Sequence, residues 1–162
     1  MKIVRKLPAD TWYQIRSPKN FYSAMRSDVE LLLKHRAYVS LTTIIVCCLE
    51  AIAAGAGEAT RGNFAAFVAR NFPDLVTEIE GACPGKEGTA VFCDGYRNGF
   101  AHLRAPKPKL AIAEEHELDG HWAGLLDVNG VPILALNVDR LAREFMILER
   151  LEMAGKNPVV TK

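Results

Sequence analysis

Arg97 and His102 stand five residues apart in the stretch Tyr96-Arg97-Asn98-Gly99-Phe100-Ala101-His102. Histidine titrates near neutral pH, so it can take and return a proton under ordinary conditions. Arginine offers a planar, permanently charged fork of N–H donors that matches a phosphate. The pair suits proton transfer beside an anionic group. Stepping about 100° per residue along a helix gathers Phe92, Tyr96, Phe100 and Leu103 on one apolar stripe. Arg97, Asn98 and His102 fall on the other side, turned away from that helix's own core. Gly95 and Gly99 permit close backbone approach there. An outward polar set beside small residues suggests a site completed by something else.

Arg97-Asn98-x-x-x-His102 resembles the R-x(4–6)-H signature of HEPN domains, in which a polar residue usually follows the arginine. The resemblance covers about seven residues, and the helical layout of the remaining chain agrees with it. It implies a helical bundle, often dimeric. Many members are metal-independent ribonucleases of toxin–antitoxin, abortive-infection and CRISPR defence systems; others have no known cleavage activity. Metal-free RNA cleavage uses the substrate's own 2′-hydroxyl as nucleophile. It needs a base for that proton, an acid for the leaving 5′-oxygen and a cation for the charge on phosphorus. One chain supplies one motif histidine, and a homodimer joined through the motif helix would supply two.

On this reading Arg97 holds the phosphate and His102 moves protons. Asn98, one turn before His102, either orients the imidazole or touches the phosphate. Arg97 either curls round to its own His102 or serves the partner copy's. Glu50 either snorkels to solvent from a helix end or pairs with Arg97 and orients it. Arg104, Lys107 and Lys109, spaced by prolines, either track the phosphate backbone of single-stranded RNA or form a solvated loop. An antitoxin or other regulatory protein is a further expected partner. Two other readings use the same residues: a non-catalytic HEPN-like module that binds RNA or a protein, and a plain helical dimer whose glycines allow tight packing.

The chain has 162 residues, 49% hydrophobic and 24% charged, with a net charge of +1. That is ordinary globular composition for a single domain, and it argues against a wholesale nucleic-acid coat while leaving room for a local basic groove. The N-terminus lacks the apolar core of a signal peptide. The apolar run from Ala37 to Ala56 contains Glu50, Ser40, Thr42 and Thr43, so it reads as a buried central helix and not a membrane span. Four reduced thiols and a cytoplasmic location are expected. Cys83 and Cys93 lack zinc-ligand spacing and a companion base, and His116 and His121 flank a turn, so no metal and no cofactor are expected. A Gly-rich phosphate loop and a serine elbow are both missing.

The expected architecture is mainly α, a HEPN-like bundle with a small antiparallel sheet between the motif helix and the last helix. Residues 1–16 form a lid through Trp12 and Ile15. Ser17 and Pro18 start a helix over 18–34. The apolar helix spans 37–55. Asn63 caps a third helix ended by Pro73, and a short continuation stops at Gly81. Thr89 caps the motif helix, which runs to Leu103 and ends before Pro106 and Pro108. Strand-like segments at 110–117, 121–128 and 131–138 are separated by Asp119-Gly120 and Asn129-Gly130, both hairpin signals. Pro132 places the last strand at an edge or shifts its start. A helix over 138–155 and a loose tail at 156–162 complete the chain.

Overall fold

The apolar helix lies at the centre because it is hydrophobic on nearly every side. The computed structural model describes residues 18–54, 60–100 and 109–153, with side chains placed over 24–54, 60–100 and 109–148. The lid at 1–16, the Ser17 cap, His102 to Pro108 and the tail lie outside the described residues. Helix α1 spans Pro18–Lys34 and α2 spans Tyr38–Ala54. Leu41, Ile45, Val46, Leu49 and Ile52 of α2 are buried, and α2 packs against α1, the helix over Arg61–Asn71, the motif segment and the last helix. Two threonines are tolerated in α2 because each hydroxyl donates to the carbonyl four residues back, Thr42 to Tyr38 and Thr43 to Val39, both at 2.8 Å. Among the described residues no helix is long and apolar enough to cross a membrane.

Helix α3 covers Arg61–Asn71 and is capped by Thr60, not Asn63. The Thr60 hydroxyl accepts from Asn63 N at 3.1 Å, so Asn63 is the recipient of the cap one turn inside. Phe64, Phe67, Val68 and Phe72 face the core. Helix α4 spans Pro73–Ala82, with its proline in the first turn. It passes through Gly81 and ends at Cys83, whose N–H bonds Ile79 O at 2.9 Å. One glycine near a helix end costs about 1 kcal/mol, too little to stop it.

The next helix, α5, begins at Gly88 and not at a Thr89 cap. Thr89 sits inside it and its hydroxyl donates to Glu87, while Gly88 N donates to Glu80 Oε1 of α4 at 3.0 Å. The start is fixed by contact: a Cβ on Gly88 would lie 2.4 Å from the Val76 carbonyl oxygen. After Gly88–Val91 the chain widens into a π-helical segment over Phe92–Arg97.

The sheet is mixed, not antiparallel. Strands β1 (Leu110–Ala113), β2 (Ala123–Val128) and β3 (Val131–Asn137) lie in the order β1-β3-β2. Asn129 and Gly130 both adopt positive φ, 56° and 79°, and turn β2 straight into β3. Asp119-Gly120 does not join neighbouring strands. The segment after Ala113 winds into a single 3₁₀ turn at Glu115–Glu117, closed by a Glu114–Glu117 capping box. That longer path steps over one strand position, so β3 enters between β1 and β2 and runs parallel to β1.

β3 is thus central despite Pro132. Leu134 N points to Lys109 O at 3.1 Å, and the ring nitrogen of Pro132 faces the same side, before β1 has begun. The alternate residues Ile112, Ala123, Leu134 and Leu136 join the main core. Ala113 and Ala135 on the other face are covered by Leu118 from the turn.

Two polar knots bind sheet to helices. Glu78 of α4 accepts from Trp122 N at 2.6 Å and Ala123 N at 3.2 Å, and the Trp122 ring lies between Phe72 and Arg140. Asn137, fully buried, accepts from Arg140 N and donates to His121 O, both at 2.8 Å. It thereby starts the last helix, α6, over Val138–Met153. The four cysteines are free, with Cys48 and Cys93 buried, Cys83 half-buried and Cys47 exposed.

Two outcomes follow from this packing. Gly88→Ala should lower stability by about 1–3 kcal/mol, because a backbone oxygen must move, whereas Gly81→Ala, with nothing within 4 Å of its Cβ, should raise it by up to about 1 kcal/mol. Urea melts of the two variants check the opposite signs. Burial pushes the Cys48 thiol up to about 12 and Cys93 up to about 11. Ellman's reagent at pH 8 should therefore react quickly with Cys47 and Cys83 and reach the other two only on unfolding; four fast thiols would contradict the packing. Because both folded values exceed the ordinary 9.0, their contribution to stability is intact below about pH 9 and is lost as pH rises through 11–12.

Candidate functional site

The motif residues sit on the π-helical segment, and its geometry changes where they point. Hydrogen bonds there close over five residues, as between Asn98 N and Cys93 O, so each residue advances by less than the α-helical angle. Phe92, Tyr96 and Phe100 remain on the inner face and are fully buried. Tyr96 Oη donates to Leu134 O of β3 at 2.8 Å, which ties the segment to the sheet. Burial raises its phenol pKa, so it stays a neutral donor.

Arg97 does not point away from the bundle. Its side chain is 22% exposed, and its Nη2 donates to Glu50 Oε1 of α2, itself 19% exposed. Of the two readings of Glu50, the structure shows the paired one. Its other terminal nitrogen, Nη1, donates to Asn98 Oδ1. The Nε donor is buried and has no partner among the described residues.

Asn98 reaches back to Asp94 through a long Nδ2···Oδ1 contact of 3.5 Å. Asp94 in turn accepts from Arg61 Nη2 at 2.6 Å. A polar chain therefore runs Glu50, Arg97, Asn98, Asp94, Arg61, joining α2, the π-helical segment and the first residue of α3. Its two carboxylates balance its two guanidinium groups.

Sequence reasoning reached Arg97, Asn98 and Glu50 but missed Asp94 and Arg61. The signal for Asp94 was its place four residues before Asn98, one helical turn. Arg61 carries no local signal; only the meeting of α3 with the motif segment brings it in. The Arg61–Asp94 end is largely exposed, so it orients more than it stabilises.

Gly95 does allow a close approach, but within the chain. A Cβ there would lie 2.2 Å from Leu110 Cδ1 of β1. Gly99 is also buried. His102, Arg104 and Lys107 lie outside the described residues. Lys109 is exposed, with φ of 67°, and stands at the mouth of a cleft between the π-helical segment and the sheet. His116 and His121 lie near Glu114 and Glu78 in the turn, and among the described residues no three His, Cys, Asp or Glu side chains cluster as metal ligands. Cys93 is held as a thiol by burial, which leaves it a poor nucleophile.

No family model, no curated protein and no solved structure matches the chain.

Both partners of the Glu50–Arg97 pair are mostly buried, 19% and 22% exposed, which predicts a measurable coupling. A double-mutant cycle of Glu50→Gln with Arg97→Gln should return about 1–2 kcal/mol from urea melts. The same cycle at Glu115 and Arg143, both 46% exposed, should return a smaller value that fades with added salt. Equal couplings at the two pairs would show that Arg97 is not held as described.

Proposed function

We propose that this chain is a HEPN-like, metal-independent endoribonuclease that acts as a homodimer in a toxin–antitoxin or phage-defence system. One observation carries the reading. Arg97 of the Arg97-Asn98-x3-His102 motif is held between a carboxylate from the central helix and its own neighbour, on a π-helical segment of the kind often found at functional sites. A guanidinium oriented in advance needs little rearrangement when charge develops on a phosphate. Each of its terminal nitrogens keeps a second N–H beyond the bonds already made.

In the proposed reaction the 2′-oxygen attacks phosphorus as one His102 takes its proton. The bond to the 5′-oxygen breaks, and the partner copy's His102 protonates the leaving group. Arg97 stabilises the phosphorane charge and Asn98 holds Arg97 in register. Arg104, Lys107 and Lys109 would guide single-stranded RNA by charge. No metal or cofactor enters these steps. The single HEPN-like domain, the dimer through the motif helix, an antitoxin partner and a cytoplasmic setting belong to the same proposal.

A second reading, a non-catalytic HEPN-like module binding RNA or protein, is favoured by one observation. The Glu50 carboxylate already neutralises Arg97, and the polar chain around it has no net charge. A guanidinium so balanced attracts phosphate less strongly.

The discriminating experiment is cleavage of labelled single-stranded RNAs in EDTA by the wild type, Arg97→Ala and His102→Ala. The enzyme reading expects 2′,3′-cyclic phosphate ends, and activity at least about 100-fold lower in both variants while the dimer persists. Cleavage unchanged in both would overturn the assignment of the motif. RNA binding without cleavage in the wild type would favour the binding module.

A further inference from the structure

A cleft of about 580 Å³ separates the π-helical segment from the sheet, within the range of small-molecule sites. Its walls are aliphatic: Val91 from α5, and Leu110, Pro132 and Leu134 from β1 and β3. It is pre-formed, because its walls are joined at depth. Tyr96 Oη bonds Leu134 O across the two elements, and Leu110 rests against the bare Cα of Gly95. Leu125 extends the apolar lining outward and is half-exposed.

Charge at the mouth is unequally engaged. Asp94 is paired with Arg61, and Glu87 accepts from the Thr89 hydroxyl. Lys86 and Lys109, both exposed, make no ion pair among the described residues. Counted with Arg61, the mouth carries one net positive charge. Lys109 is also held at the mouth in a left-handed conformation that most residues avoid, its carbonyl fixed by Leu134 N.

From this combination we infer that the cleft is a binding site for a small amphipathic anion, with its apolar body against the aliphatic walls and its carboxylate or phosphate between Lys86 and Lys109. No aromatic ring lines the cleft among the described residues, so it offers no stacking platform for a nucleobase and favours an aliphatic body. The site shares Lys109 with the proposed RNA-guiding run but uses neither Arg97 nor His102, so loss of RNA cleavage and loss of anion binding can be read apart. It shares Asp94 with the polar chain, and the π-helical segment is common to both.

The test is NMR titration of ¹⁵N-labelled full-length protein with octanoate, hexyl phosphate, hexanol and hexyltrimethylammonium, each kept monomeric. Both anions, or one of them, should shift amides lining the cleft, with hexanol weaker and the ammonium without effect. The stronger anion identifies the headgroup. Lys86→Gln and Lys109→Gln, at exposed positions that leave folding intact, should each weaken the anion about tenfold and leave hexanol unchanged. Ala90→Leu, which narrows the mouth, should weaken every probe. No shift at the cleft with either anion, equal binding of the ammonium, or undiminished anion binding in both lysine variants would overturn the inference.

Discussion

A carboxylate on an otherwise apolar central helix sets the terms for the rest of the structure. Glu50 stands on α2 next to the buried Leu49 and Ile52, and its own side chain is only 19% exposed. Leaving a charge so placed without a partner would cost several kcal/mol. The nearest solution is a cation from a neighbouring element, and Arg97 supplies it. That pairing requires the motif segment to cross α2 at the level of Glu50 and to turn Arg97 inward. The inward turn conflicts with an α-helix whose apolar stripe already runs through Phe92, Tyr96 and Phe100. Widening the helix over Phe92–Arg97 keeps all three aromatics buried while Arg97 reaches Glu50. The π-helical segment is where the two demands meet.

The same local geometry accounts for what could be read from the residues and what could not. The aromatic stripe was legible because its spacing survives in either helix type. The direction of Arg97 was not, since a wheel of constant step assumes regular bonding, and only contact with α2 selects the wider form. Glu50 was legible as a problem, a lone charge in an apolar run, but its answer depended on which element lay opposite. The strand segments were visible from Asn129-Gly130 and from the run at 131–138. The sheet order was not, because Asp119-Gly120 carries the same turn signal yet belongs to a longer connection organised by Glu114 and Glu117. Helix starts failed for a related reason: Asn63 and Thr89 are good caps in type, but Thr60 and the Gly88–Val76 contact decided the boundaries.

Two glycines illustrate how a feature can be real while its purpose lies elsewhere. Gly95 beside a polar motif suggests room for a partner. In the fold that room is occupied by Leu110, and the contact closes the floor between the motif segment and β1. Gly88 has no place in a motif at all, yet a side chain there would strike a backbone oxygen of α4. Both residues let a neighbouring element approach closely, through the Leu110 side chain at Gly95 and the Val76 carbonyl at Gly88.

The segment is thus gripped from three directions: by Glu50 through Arg97, by Leu134 through the Tyr96 hydroxyl, and by α4 through Gly88. A helix so constrained has little freedom to shift one anchor without moving the others, because close-packed interiors transmit displacement instead of absorbing it. Leu134 and Gly95 are also walls of the aliphatic cleft. The cleft and Arg97 therefore share one short element, which lines the cleft through Asp94 and Gly95 and carries Arg97 two residues on. Two chemically different surfaces, one polar and charge-balanced, the other aliphatic with two lysines at its mouth, thus meet on a single short π-helical segment.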